Sequence, residues 1–279
     1  MDAPAPPAAP PATDGAVTLD FDPARDGFSF ANRFEWTDAD LDALSAALRP
    51  LAALPFAASG AVGGRLGGAA SAGAAVGAGL GWGLGDALVR STARRWSTFG
   101  LCGGMALAAV ERWPARGRLA TSALERGPIR ALLRRRQEAT LRASLPRFAR
   151  YWALVRFAPG ATPHAPLAGA LAAELDRVEA ALRAGRPALL GVVGDAPDPF
   201  QNHQVAAFGV DRRGRLDATL QVYDPNAPGQ TKTITTAAAP GGQRTAISTD
   251  MDTGRRPDGR VHVSTRPGHL SHLFVIDPA

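Results

Sequence analysis

The sequence predicts an α+β fold in which an N-terminal helical half, with the cysteine helix in it, packs on an antiparallel β-sheet. Two observations carry this. From Cys102 to Ala184 apolar residues recur mostly at helical spacing, and from Pro187 onward the period changes to that of short strands parted by Gly, Pro and Asp turns. Helices placed ahead of strands, rather than alternating with them, imply an antiparallel sheet. The 279 residues are 46% hydrophobic, enough for one large domain or a core domain with an appendage.

Four regions follow along the chain. Residues 1–14 are Pro/Ala-rich without an apolar stretch or a basic leader, and read as a disordered or polyproline-like arm. No signal peptide is recognised, so the expected compartment is the cytoplasm. Residues 15–56 hold a strand, Ala16 to Phe21, and a short amphipathic helix. Thr37-Asp38-Ala39-Asp40 offers the N-cap, Leu41, Leu44 and Leu48 form the stripe, and Pro50 marks the end.

Residues 57–90 are a Gly/Ala-rich insertion of glycine-zipper type. Leu66 to Gly85 is twenty residues without a charge, eight of them glycine, with Gly73, Gly77, Gly81 and Gly85 at every fourth position. On a helix this makes a small-residue face suited to close helix contact, and twenty residues just cross a bilayer. Each helical glycine costs about 1 kcal/mol against alanine. A flexible or tightly packed insertion is therefore the first expectation, and membrane association through residues 57–90 the second.

Residues 91–279 form the main domain. Helices are expected from Cys102 through Trp113, from about Ser122 to Arg147, and from Ala168 to Ala184, the last closed by Gly185. Strands are expected at Ala188–Val193, His203–Val210, Ala218–Tyr223, Thr231–Thr235, Val261–Ser264 and Leu270–Ile276.

The formal charge of +6 is local. Twelve arginines against three glutamates between Glu111 and Arg156 leave a surplus of nine there and −3 everywhere else. Arg126, Arg130 and Arg134 line up at every fourth residue, read first as the solvated face of a core helix and second as a surface for an anionic partner. No nucleic-acid motif or set of stacking aromatics accompanies them, so nucleic acid is not an expected partner. His164, His262, His269 and His272 lack a metal-ligand spacing and read as surface or turn residues. With no Walker loop, dinucleotide fingerprint or HExxH, no metal or cofactor is expected.

The chain has one cysteine, Cys102, which excludes an internal disulfide and a Cys-based zinc cage. It sits in Phe99-Gly100-Leu101-Cys102-Gly103-Gly104-Met105, after a turn and at the start of a helix. There the helix dipole and free N–H groups favour the nucleophilic thiolate, and flanking glycines would let a substrate carbonyl approach. The bland alternative is an inert thiol in a Gly/Ala-rich helix start. A nucleophile needs a base and a group that orients the base. His203 opens one strand, and Asp224 ends the next, within Tyr223-Asp224-Pro225-Asn226. Asn226 is the competing orienting group.

These positions resemble the papain-like cysteine peptidase superfamily, most closely the bacterial peptidases that process double-glycine leader peptides. In those, a cysteine opens a helix, a histidine opens a strand of form H-x-V-x-x-x-G, and Asp-Pro follows the next strand; Cys102, His203 to Gly209 and Asp224-Pro225 match. The chain is also similar to an uncharacterised group bearing G-x-C-G-G-M, a helical R-Q element, H-x-V and Y-D-P-N-x-P. Gly100 to Met105, Arg136-Gln137, His203 to Val205 and Tyr223 to Pro228 fit it. The resemblance spans roughly residues 97–276 and implies a papain-like fold and a Cys102-His203-Asp224 triad. The expected activity is a thiol hydrolase, a cysteine peptidase or amidase acting on a peptide or protein through a thioester. It implies two alternatives: an acyltransferase using the same triad, and a non-catalytic papain-like scaffold that binds a membrane or protein partner. The oligomeric state is left open. Papain-like enzymes also carry a glutamine before the nucleophile that completes the oxyanion hole. None precedes Cys102 here, and Ser97, Thr98 or the more distant Asn32 are the candidate substitutes.

Overall fold

The computed structural model describes residues 15–35, 37–42, 45–46, 87, 98–115, 120–157, 164–194, 202–238, 245–251, 254–255, 261–262 and 270–278. The Pro/Ala-rich arm and all of the glycine-zipper region except Ala87 lie outside them. In chain order the N-terminal part contains β1 (Val17–Thr18), α1 (Pro23–Asp26), β2 (Phe34–Glu35) and β3 (Thr98–Phe99). Three longer helices follow: α2 (Cys102–Arg112), α3 (Arg126–Phe157) and α4 (His164–Arg183). The remaining strands are β4 (Ala188–Gly194), β5 (His203–Arg212), β6 (Ala218–Tyr223), β7 (Thr231–Ala238), β8 (Thr245–Thr249), β9 (Gly254–Arg255), β10 (Val261–His262) and β11 (Leu270–Val275).

The papain-like helix-on-sheet arrangement is corrected by the strand pairing. Six antiparallel strands run β5-β4-β11-β8-β7-β6, and β6 returns to β5, so the sheet closes into a barrel. Two features cause closure. The ten-residue β5 pairs β4 along its first half, from Val192↔His203 to Ala188↔Ala207, and β6 along its second, from Ala206↔Tyr223 to Arg212↔Ala218. An irregularity between Ala207 and Gly209 bends it there. β8, which the sequence reading missed, then joins β7 to β11 through the pair Leu270↔Ile247. Alternation reports which residues share a face, and it says nothing about which strands are neighbours.

The two faces of the strands have different coverings. Leu190, Val192, Val205, Val222, Ile234 and Leu273 share one core with the α4 stripe Leu171, Leu175, Val178 and Leu182. Leu189, Val193, Ala206, Phe208 and Phe274 form a second core with Ala106, Leu107 and Ala109 of α2 and Tyr151 of α3. Each Val, Leu, Ile or Phe side chain among these stabilises the fold by about 1.5–3 kcal/mol when fully buried. The second core also explains why α3 continues past Pro146 to Phe157, ten residues beyond the expected end. Pro146 lacks an N–H, but Tyr151 beyond it is buried and Phe148, Trp152 and Val155 pack against the same cluster. α4 ends as expected, with Gly185 at φ 73° and the bonds Gly185 N–H to Leu182 O and Arg186 N–H to Ala181 O closing a Schellman cap.

The N-terminal segment is part of this body. β1 extends the sheet on β5 through Val17↔Val210 and Thr18↔Gly209, and β2 pairs β3 just ahead of Cys102. The expected N-cap is there and is reciprocal, Thr37 N–H to Asp40 Oδ2 at 3.0 Å and Asp40 N–H to Thr37 Oγ1 at 3.3 Å. Two arginines of the expected solvated face, Arg126 exposed and Arg130 half-buried, also hold this segment to α3. Arg126 donates to Ala31 O at 3.1 Å and lies over the Phe30 and Phe34 rings, and Arg130 donates to Glu35 O and to Asp40. Among the described residues no helix is long and apolar enough to cross a membrane.

Candidate active site

Cys102 is half-buried at the first position of α2. Its position is fixed from both sides. Leu101 and Met105 are buried with Phe28, Phe34, Ile129 and Leu133, and Met105 N–H closes the first turn on Leu101 O at 2.8 Å. The two glycines after the cysteine serve packing rather than an open approach for substrate. A Cβ on Gly103 would lie 1.8 Å from Gln204 Oε1 and 2.4 Å from Thr140 Oγ1, and one on Gly104 would lie 2.0 Å from Leu133 O. Only glycine lets α2 sit this close to α3 and β5. Gln137 of α3 then accepts the Gly104 N–H at 3.0 Å, taking one of the unpaired amides at the helix start.

His203 is the first residue of β5, and Asp224 follows the last residue of β6. The antiparallel register that pairs Ala206 with Tyr223 therefore brings the two side chains together at one end of the strand pair. His203 Nε2 and Asp224 Oδ1 are 2.6 Å apart, both residues buried. The carboxylate is itself held by the turn after it: Asn226 N–H donates to Asp224 Oδ1 at 2.8 Å, and Ala227 N–H to Asp224 O at 2.9 Å. The imidazole also hydrogen-bonds the Cys102 thiol, so one ring touches both partners. With Nε2 engaged by the carboxylate, Nδ1 is the ring nitrogen left for the sulfur.

The electrostatics follow from these contacts. Burial alone would push the His203 proton off, but the Asp224 carboxylate and the Cys102 sulfur outweigh it and raise the histidine to about 10. His203 is then charged at neutral pH. A charged imidazole beside a sulfur is the arrangement that an imidazolium–thiolate pair requires.

Comparison with family models, curated proteins and solved structures returns no match. The chemistry of the site thus rests on its own geometry.

The candidate oxyanion groups fall in different places. Ser97 lies outside the described residues, and so does the Thr98 side chain, although the Thr98 backbone pairs with Glu35 in the β2–β3 ladder. Asn32 does reach the site. Its Oδ1 accepts Leu101 N–H at 2.5 Å and its Nδ2 donates to Asn226 Oδ1 at 3.2 Å. Asn226 in turn presents Nδ2 to His203 Nε2 at 3.3 Å. A ring nitrogen that donates to Asp224 has no lone pair for that amide, so Asp224 is the group that holds the imidazole hydrogen.

Of the other histidines, His269 and the side chains of His164 and His262 lie outside the described residues; the His164 backbone opens α4 rather than lying in a turn. His272, expected at the surface or in a turn, is fully buried on β11 with its ring 4.0 Å from that of Tyr151. Burial, and secondarily the charge of Arg147, pushes it down to about 3. Among the described residues no cluster of His, Cys, Asp or Glu could hold a metal ion. Asn32 as a tie between site loops, Gln137 as an amide cap and Gln204 beneath Gly103 were not legible as functional or structural neighbours of the thiol. Only Gln137 carried a signal, the Arg136-Gln137 element.

Proposed function

We propose that the protein is a thiol hydrolase, a cysteine peptidase or amidase working through Cys102, His203 and Asp224. The observation that supports this is a single imidazole held at 2.6 Å by a buried carboxylate and hydrogen-bonded to the chain's one thiol at a helix start. His203 stores the thiol proton. The thiolate attacks an amide carbonyl, forming a C–S bond, and the C–N bond breaks as His203 gives its proton to the departing amine. Water then adds to the thioester, losing a proton to His203, and the sulfur leaves as the thiolate with the acid as product. Gly104 and Met105 N–H are already bonded, so oxyanion stabilisation falls to the Gly103 amide and its neighbours at the start of α2. A peptide or protein amide is the proposed substrate, supported by the match of these positions to the double-glycine leader peptidase pattern.

The test is alkylation of Cys102 by iodoacetamide at pH 6 in the wild type, Cys102→Ala and His203→Ala. An ordinary thiol with its midpoint near 8.5 is under 1% thiolate at that pH, so a rate at least about tenfold above a free thiol is expected, even after the lower nucleophilicity of a stabilised thiolate. Labelling should vanish in Cys102→Ala and fall to the free-thiol rate in His203→Ala. A wild-type thiol no faster than a free one would sink the proposal. Where the acyl group goes is read from products: acid alone supports hydrolysis, and transfer to an added amine supports the acyltransferase alternative.

A further inference from the structure

Asn32 is 69 residues from Leu101 and 194 from Asn226, yet one carboxamide bonds both. It is buried, and its own backbone N–H donates to Pro225 O at 2.9 Å. Leu101 precedes the nucleophile, and Asn226 lies two residues after the orienting carboxylate. We propose that Asn32 is a positioning residue that sets the Cys102 turn against the His203–Asp224 pair and fixes which hydrogen bond the histidine makes. The proposal rests on the thiol-hydrolase reading of this site.

The direction of each bond follows from donor and acceptor chemistry. The Leu101 N–H can only donate, so Asn32 must offer Oδ1 to it, which turns Nδ2 toward Asn226. Asn226 must answer with Oδ1, and its Nδ2 is then the group facing the imidazole. Were Asn226 turned over, its Oδ1 would compete with Asp224 for the Nε2 hydrogen. Asn32 prevents this. The same residue is anchored from outside the site, because Arg126 holds the adjacent Ala31 carbonyl and Arg130 the Glu35 carbonyl. The N-terminal segment thus completes the geometry of a thiol carried on another part of the chain.

The experiment compares wild type, Asn32→Ala, Asn226→Ala and the double variant in two readouts: iodoacetamide labelling of Cys102 at pH 6, and the pH at which the His203 imidazole loses its proton by NMR. Each single change removes buried hydrogen bonds at the site and should slow labelling about five- to tenfold. Each should also move the His203 titration to higher pH, since the amide donor facing Nε2 is lost or turned away. The double variant should be no slower than the slower single one, because both act through one bond. Asn32→Ala with wild-type labelling and titration, or effects that multiply in the double variant, would overturn the proposal. If Asn32→Ala does not fold, Asn32→Ser, uncharged and too short to reach Asn226, takes its place. It should then shift the titration but not add to Asn226→Ala, and additivity there would equally overturn the proposal. A wild-type thiol that behaves as a free one defeats the hydrolase reading instead, so the two failures are distinct.

Discussion

Two buried histidines flank the same strand. His203 on β5 pairs with Val192 of β4, and His272 on β11 pairs with Val193. Both are taken from water, a change that disfavours the charged ring. They nevertheless end far apart, His203 raised to about 10 and His272 lowered to about 3. The difference lies in what each ring touches. His203 meets a carboxylate and a sulfur, whereas His272 lies tilted against the Tyr151 ring, has no hydrogen-bond partner for either ring nitrogen among the described residues and feels the Arg147 cation. Burial supplies the common penalty, and the charge of the neighbours decides the outcome.

The strongest way to break this contrast is Asp224→Asn, which keeps the shape of the partner and removes its charge. His203 should then lose its proton several pH units lower, toward the behaviour of His272, and Cys102 labelling at pH 6 should fall at least about tenfold, to near the free-thiol rate. NMR of the imidazole and alkylation rates read the two effects. Next in size is the pH dependence of stability. His203 binds its proton more tightly folded than unfolded, so its contribution is complete below about pH 6.5 and is lost as pH rises through about 10. His272 has the opposite sign: above about 6.5 the fold is unaffected, and stability declines as pH falls toward 3, where only the unfolded chain would bind the proton. Denaturant melts should therefore show a flatter alkaline limb for His203→Gln and a flatter acid limb for His272→Phe, each by up to about 1.4 kcal/mol per pH unit. The smallest effect is expected at Arg147, whose charge is the lesser cause of the His272 shift. Arg147→Lys should leave the His272 titration unchanged within a few tenths of a pH unit, while Arg147→Met should raise it slightly.

Much of the chain was legible from its periodicity because that signal is local. The strands at 188–194, 203–212, 218–223 and 270–275 and the start of α2 at Cys102 lie close to where alternation and helical spacing put them. Closure was not legible. β8 is Thr-Ala-Ile-Ser-Thr, with too few apolar residues to stand out, and the double use of β5 depends on neighbours far away in sequence. The residues of the site were legible as residue types, since a lone cysteine, a strand-opening histidine and an Asp-Pro turn are unusual in combination. Asn32 was legible only as a distant candidate for the oxyanion, and its bonds to Leu101 and Asn226 were not. Nothing in its neighbours, Ala31 and Arg33, marks it. Gln204 was invisible as a site neighbour and Gln137 was marked only by the Arg136-Gln137 element; each acts through a glycine, Gly103 or Gly104, whose missing Cβ is the true signal.

The order in which the site can assemble follows from the chain lengths between its parts. His203 and Asp224 are separated by 21 residues, within one hairpin, while Asn32 and Asn226 are 194 apart and Phe28 and the Tyr223 hydroxyl it bonds are 195 apart. Closing a loop nine times longer costs about 2 kcal/mol more in chain entropy, at roughly 0.6 kcal/mol per doubling. A refolding chain therefore meets its histidine–carboxylate pair early and its Asn32 tie last. Cys102 reactivity becomes a clock for that final closure: thiol activation should lag strand formation, and the delay measures how long the two ends of the molecule take to find each other.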